Sequence, residues 1–158
     1  MYQLMSIQIF KQNDLAAIVD IYDRSKLDEL KSEDKPFTLL PLHKDDLRFS
    51  GLMASEIYVY QDQGRILGFG AINGNEIRAL FVHPEYRAKG IGLCMLEFLL
   101  ACVESEPYLY VVSTNQPAKS LYQRYGFNVV DTFESTYNQI PVIVQKMVCN
   151  THIKDQHI

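Results

Sequence analysis

The spacing of apolar positions changes period several times along the chain. Residues 6–11 read as a short strand. Beyond them Leu15, Ile18, Val19 and Tyr22 keep the i, i+3, i+4, i+7 spacing of a helix with one apolar stripe, and Asn13 or Asp14 stands where its N-cap belongs. Asp28, Glu29, Glu33, Asp34 and Pro36 mark a solvated loop, and a second short helix is expected over 45–54. Three stretches rich in β-branched and aromatic residues follow, at 56–61, 65–72 and 76–82. Asp62-Gln63-Gly64 separates the first two, and Asn73-Gly74, the strongest hairpin signal in the chain, separates the second pair. They predict an antiparallel meander stopped by His83-Pro84.

The pattern then shifts. Residues 90–104 are apolar all round, as in a helix buried on most faces. Residues 108–112 form a strand that a helical crossover sets parallel to 76–82. Pro117 suits the first turn of a further helix with the stripe Ala118, Leu121, Tyr122 and Tyr125, and Gly126 sits at its C′ position. Strands at 128–134 and 141–148 close the chain. The predicted fold class is α/β with a mixed sheet, an antiparallel front followed by β-α-β-α-β-β. Residues 1–149 read as one domain and 150–158 as a frayed tail.

Composition narrows the function classes. With 158 residues, 47% hydrophobic and 11% aromatic, the chain can bury one substantial core and is not a disordered segment. A formal charge of -4 argues against a nucleic-acid or membrane-surface binder. Cys94, Cys102 and Cys149 are widely spaced and form no CxxC pair, so neither a metal site nor a disulfide framework is expected. The first residues carry no secretory pattern, and the longest apolar stretch falls short of the roughly 20 residues a bilayer crossing needs. Together these predict a cytoplasmic protein.

Candidate chemistry begins at Val82-His83-Pro84-Glu85-Tyr86-Arg87-Ala88-Lys89-Gly90-Ile91-Gly92, where a strand gives way to a helix through an R-x-x-G-x-G run. Helix N-termini usually carry acids that complement the dipole. Here Arg87 and Lys89 flank the first turn and no acid appears before Glu97. Free amides, glycines that permit close approach and two cations make an anion site suited to a pyrophosphate. A solvated basic turn is the alternative for this segment alone. Neither a GxxxxGK[ST] loop nor a completed GxGxxG is present.

A second segment, Asn115-x-x-Ala118-x-x-Leu121-Tyr122-x-x-x-Gly126-Phe127, follows the parallel strand directly. The two segments together resemble those of the GNAT superfamily, which moves an acetyl group from acetyl-CoA to an amine. The order of elements is similar over nearly the whole chain. The resemblance implies two splayed parallel central strands with the pantetheine arm of acetyl-CoA between them. It implies that the amides of Arg87, Ala88, Lys89, Gly90, Ile91 and Gly92 hold the pyrophosphate. The strand edge at Phe81 and Val82 would bond the arm, and Asn115 would face it. Tyr122 would protonate the departing thiolate, although plain core packing also accounts for its place on the stripe.

An alkylammonium must lose a proton before it attacks a carbonyl. By the resemblance Glu76 occupies the place of a glutamate that serves as base in some members; its alternative is a solvated residue beside a turn. His43 and His83 are weaker candidates, and Cys94 and Cys102 read as core. The acceptor cleft would come from 26–49 and 133–141. Its acids Asp28, Glu29, Glu33, Asp34, Asp45 and Asp46 would attract a cation or merely solvate a face. Tyr137 and Phe37 would form an aromatic wall or stand as exposed loop residues. The expected function is direct transfer, in a ternary complex, to the primary amine of a small molecule or protein, with no metal, nucleic acid or membrane as partner and a homodimer left open. A non-catalytic acyl-CoA-binding module is the alternative. A member acting on aminoacyl-tRNA is set aside because the chain is acidic.

Overall fold

The structure, a computed structural model, describes residues 6–150. Its strands are β1 (Ile7–Ile9), β2 (Glu56–Asp62), β3 (Arg65–Asn73), β4 (Glu76–Val82), β5 (Tyr108–Val112), β6 (Asn128–Tyr137) and β7 (Ile140–Val148). Its α-helices are α1 (Leu15–Ser25), α2 (Asp46–Met53), α3 (Ile91–Cys102) and α4 (Gln116–Arg124). The strands form one sheet in the order β1-β2-β3-β4-β5-β7-β6, and β4 beside β5 is its parallel pair. This is the mixed α/β architecture the sequence pattern predicts. The tail expected at 150–158 lies, apart from Asn150, outside the described residues.

Apolar stripes put helices on both faces. Ile18, Ile21 and Tyr22 of α1 and Leu52 of α2 pack on Ile57, Val59, Phe69 and Ala71. On the other face Leu96, Leu99 and Leu100 of α3 meet Ile72, Ile77, Leu109, Val111 and Met147, with Leu121 and Tyr122 of α4 and the C-cap Tyr125 against the same cluster. Burying a Leu or Ile side chain stabilises by about 1.5–3 kcal/mol, so these two layers hold the sheet between them.

One irregularity shapes everything that follows. The β3–β4 register passes from Ala71↔Ala79 to Ile72↔Ile77, which leaves Arg78 as an extra residue on β4. Beyond this bulge Ala79 and Phe81 face α1, while Leu80 and Val82 face α3. β4 and β5 are bridged at Glu76↔Tyr108, where the Tyr108 N–H donates to the Asn75 carbonyl at 3.0 Å. Past that bridge the two strands part, and a V opens towards Val82 and Val112.

Several local expectations need correction. Asp14 precedes α1 but does not cap it; its carboxylate accepts from the Lys11 N–H at 2.9 Å and closes a 3-10 turn over Gln12–Asp14. The acidic stretch expected as loop begins as a 3-10 segment, Lys26–Leu30, anchored by buried Leu30. The tight turn after β3 is centred one residue later than the Asn-Gly signal suggests, since Asn73 pairs with Glu76 and Gly74 supplies the positive φ of 60°. Strand β6 runs on to Tyr137, which is 2% exposed rather than a loop residue. Its hydroxyl accepts from the Leu40 N–H at 2.8 Å and donates to the Leu40 carbonyl at 3.3 Å, tying the segment before α2 to the hairpin. Phe37 packs on the same ring, with centroids 6.4 Å apart.

Candidate active site

Three cavities gather around the mouth of the V. The front cavity, about 530 Å³, lies between α1, α2 and β4, and Tyr22, Lys26, Arg48, Glu76, Arg78 and Tyr110 help line it. The sheet cavity, about 540 Å³, spreads over β5, β7 and β6 past Tyr110, Asp131, Phe133 and Lys146. The loop cavity, about 400 Å³, lies between the end of β4 and the starts of α3 and α4, against Val82, Arg87, Gly92, Asn115 and Ala118. Leu80 and Phe81 face both the front and loop cavities. Tyr122 and Glu29 are the two side chains common to all three.

The segment into α3 is built as the sequence suggests. Pro84–Tyr86 forms a 3-10 turn, and Ala88 (φ 63°) and Gly90 (φ 83°) take left-handed backbone, which turns successive amides to one side. Gly90 is the N-cap, no side chain caps the helix, and the first helical bond runs from the Cys94 N–H to the Gly90 carbonyl at 3.0 Å. The amides of Ile91, Gly92 and Leu93 therefore have no acceptor inside the helix. A Cβ on Gly92 would meet Val82 Cγ2 at 3.7 Å, an ordinary contact, so packing alone does not demand glycine there. Glycine there leaves the amide open to close approach. Lys89 Nζ and Arg65 Cζ lie 5.7 and 5.5 Å from the Tyr86 ring centroid, and the Arg65 guanidinium also donates to the Tyr86 hydroxyl. Arg65 arrives from the β2–β3 hairpin, far away in sequence. These groups fit a pyrophosphate.

The edge beside them is only half as expected. The His83 N–H donates to the Leu67 carbonyl at 2.8 Å, which makes Phe69 and Phe81 the next hydrogen-bonded pair across β3–β4. The backbone of Phe81 thus points to β3, and its ring lines the cavities instead. Leu80 and Val82 turn their amides and carbonyls into the V, where an extended amide-bearing arm would find partners. The Val82 carbonyl accepts from Arg87 Nε at 3.2 Å and from Ser25 Oγ at 3.4 Å. Arg87 also donates to the Asp28 carboxylate at 2.6 Å.

Tyr122 is held by the way α4 begins and ends. At the start Asn115 Oδ1 accepts from the Ala118 N–H at 3.4 Å, so its oxygen caps the helix while the residue lines the loop cavity. At the end Gly126 (φ 91°) donates to the Gln123 carbonyl at 3.0 Å, and the Phe127 N–H donates to the Tyr122 carbonyl at 3.1 Å. These two bonds are a Schellman motif. Half-buried, Tyr122 packs on the core with one side of its ring and lines the cavities with the rest. Burial, with the Glu29 carboxylate adding to it, pushes its phenol up to about 12. Its hydroxyl has no hydrogen-bond partner among the described residues, so the proton it carries is free to donate.

The remaining candidates separate cleanly. Glu76 lines the front cavity, yet its Oε1 accepts from both Arg78 Nη2 at 2.8 Å and Arg78 Nε at 3.2 Å, at the closed end of the V. His83 Nδ1 accepts from the Glu85 N–H at 3.1 Å and caps the turn. His43 lines none of the three cavities. Cys94 is buried core, and burial pushes its thiol up. Of the six acids expected to draw a cation, Glu29 alone faces the front cavity; Asp28 is paired with Arg87, and Asp45 caps α2 and pairs with Arg48 at 3.1 Å. No cluster of three metal-ligating side chains occurs among the described residues, and no described helix is long and apolar enough to cross a membrane.

Comparison with known proteins bears on the family and the fold. The family model described as acetyltransferase (GNAT) domain matches residues 54–129. The peptidyl-lysine N-acetyltransferase YiaC of Escherichia coli K12 is 31% identical over 105 residues, covering 65% of this chain and 67% of YiaC. Among solved structures, a GCN5-related N-acetyltransferase from Rhodopseudomonas palustris matches with a TM-score of 0.74 at 15% identity, over 91% of this chain and 94% of the other. YncA from Salmonella typhimurium, solved with its cofactor acetyl-CoA, matches with a TM-score of 0.66 at 18% identity, over 96% and 95%. Motifs, splayed sheet and sequence relatives converge, and the chain belongs to the GNAT family of acetyl-CoA-dependent acyltransferases.

Proposed function

We propose that the chain is an N-acetyltransferase that passes acetyl directly from acetyl-CoA to a primary amine while both are bound. The observation that carries this reading is the shared wall: Tyr122, Leu80 and Phe81 each face the loop cavity and the front cavity at once. A donor lying along β4 and an amine entering from the front would meet beside the Tyr122 hydroxyl.

In this reading the amides of Ile91 and Gly92, with Arg87, Lys89 and Arg65, hold the pyrophosphate, and the Leu80–Val82 edge orients the arm. Acetyl-CoA supplies an acetyl carbon open to attack and a sulfur that leaves. Tyr122 gives its proton to that sulfur, and fixed geometry removes the entropic cost of bringing the partners together. Retention of Tyr122 at the junction favours an enzyme over a passive acyl-CoA-binding module.

The acceptor is a small molecule or a protein amine, and one observation favours the second. Tyr110 and Phe133 form an exposed aromatic strip, with centroids 5.9 Å apart, that leads away from the front cavity over the sheet. A chain carrying a lysine has somewhere to lie. YiaC, by its name, acts on peptidyl-lysine, which makes lysine peptides the first acceptors to try. The test is an amine panel, lysine peptides included, followed by release of the CoA thiol. Acetyl-CoA-dependent release with at least one amine is expected; binding of acetyl-CoA with no release for any amine would leave the passive module standing.

A further inference from the structure

Where the acceptor's ammonium docks follows from one neglected segment. Lys26–Leu30 is a 3-10 turn, so Lys26 and Glu29, three apart, lie on one side of it. Lys26 is well fixed: its Nζ sits 5.8 Å from the Tyr22 ring centroid and 5.5 Å from that of Tyr137, and it donates to Glu29 Oε1 at 2.8 Å. Glu29 Oε2 accepts no hydrogen bond among the described residues. The carboxylate therefore arrives oriented, with one oxygen open, on the wall it shares with Tyr122.

We infer that Glu29 is the residue that docks the acceptor ammonium and takes its proton. This rests on the acetyl-transfer reading above. An amine that attacks beside Tyr122 needs a carboxylate facing the same junction, and Glu29 is the acid that lines all three cavities. Glu76 lines only the front one. It lies four residues back along β4 from Leu80, roughly 10–13 Å by strand rise with the bulge allowed for, at the closed end of the V.

The protons balance. Glu29 takes one from the ammonium and releases it to solvent. The nitrogen lone pair so freed forms the C–N bond as the C–S bond breaks. Tyr122 gives its proton to sulfur and recovers one from the nitrogen, which keeps its third. Ammonium and thioester become amide, thiol and one free proton.

Charged and titratable groups around Glu29 come from every neighbouring element: Lys26, Asp28 and Lys31 on or beside its own turn, Tyr22 on α1, Arg48 on α2, Glu76 and Arg78 on β4, Tyr86 and Arg87 before α3, Tyr122 on α4, Tyr110 on β5, and Asp131 and Lys146 on the β6–β7 hairpin. The test compares wild type, Glu29→Gln and Glu29→Asp with one lysine peptide. Steady-state transfer is measured from acid to alkaline pH, and thermal stability with and without the peptide. Glu29→Gln is expected to lower kcat/KM for the peptide roughly 10²-fold at neutral pH, the deficit shrinking as pH rises towards the pKa of the amine. Glu29→Asp recovers part of the rate, acetyl-CoA affinity holds, and the peptide raises the Tm of wild type but not of Glu29→Gln. A loss that is constant with pH, or no loss, overturns the inference while transfer by wild type preserves the reaction. No transfer by wild type to any amine overturns both.

Discussion

The Phe127 N–H donates to the Tyr122 carbonyl at 3.1 Å, and the two rings pack with centroids 5.8 Å apart. Together with the Gly126 bond to Gln123, this contact fixes the last turn of α4 and the direction of the tyrosine. The spacing L-Y-x-x-x-G-F is thus a mechanical unit: glycine ends the helix, phenylalanine clamps it, and tyrosine is delivered to the cavities.

Gly126 holds a φ of 91°, which costs any other L-residue about 1–2 kcal/mol. Gly126→Ala should lower Tm by roughly 2–8 °C in a chain of this size and reduce kcat by more than its effect on acetyl-CoA affinity. Thermal melts and steady-state kinetics check this together. An unchanged kcat would mean that the cap does not position Tyr122.

Arg87 is shared between the Asp28 carboxylate and the Val82 carbonyl. A pyrophosphate held at the start of α3, as proposed, would compete with Asp28 for that guanidinium. The pair is half-exposed on both sides and so worth no more than about 1 kcal/mol. Asp28→Asn should tighten acetyl-CoA binding by up to about fivefold, and Arg87→Gln should weaken it and flatten its salt dependence. Calorimetric titration at two ionic strengths measures both, and weaker binding by Asp28→Asn would contradict the competition.

The phenol of Tyr122, held up to about 12, keeps its proton where an ordinary tyrosine begins to lose it near 10. The fold favours the neutral form, so the stabilisation Tyr122 gives is whole below about pH 10 and fades as pH climbs towards about 12. The rate of acetyl transfer should accordingly show no downturn near pH 10 that depends on Tyr122. A downturn there that vanishes in Tyr122→Phe would contradict the assigned environment.

Much of this is legible in the amino-acid sequence. The alternation in 56–82 and the apolar run at 90–104 dictate the meander and the buried helix, and the cation-flanked glycines mark the proposed anion site. Glu29 stands in the sequence as one of six acids of the acceptor cleft and is not singled out there, because a 3-10 turn has too short a period to declare itself and acids beside one another read as solvated. The exchange of Phe81 for Leu80 at the free edge was hidden for another reason. Which backbone groups face outward depends on the pairing of β3 with β4, a register that no single-strand pattern reports. Tyr137 looked like a loop residue because the Asn138-Gln139 turn contains no glycine, although both residues take positive φ, 49° and 69°.

The central claim, that two cavities meet at a proton-donating tyrosine, is tested most directly by Tyr122→Phe, with kcat and acetyl-CoA Kd measured on the same preparation. The account predicts a kcat about 10²-fold lower with Kd within about twofold of wild type. A kcat equal to wild type would contradict it and leave Tyr122 as a packing residue.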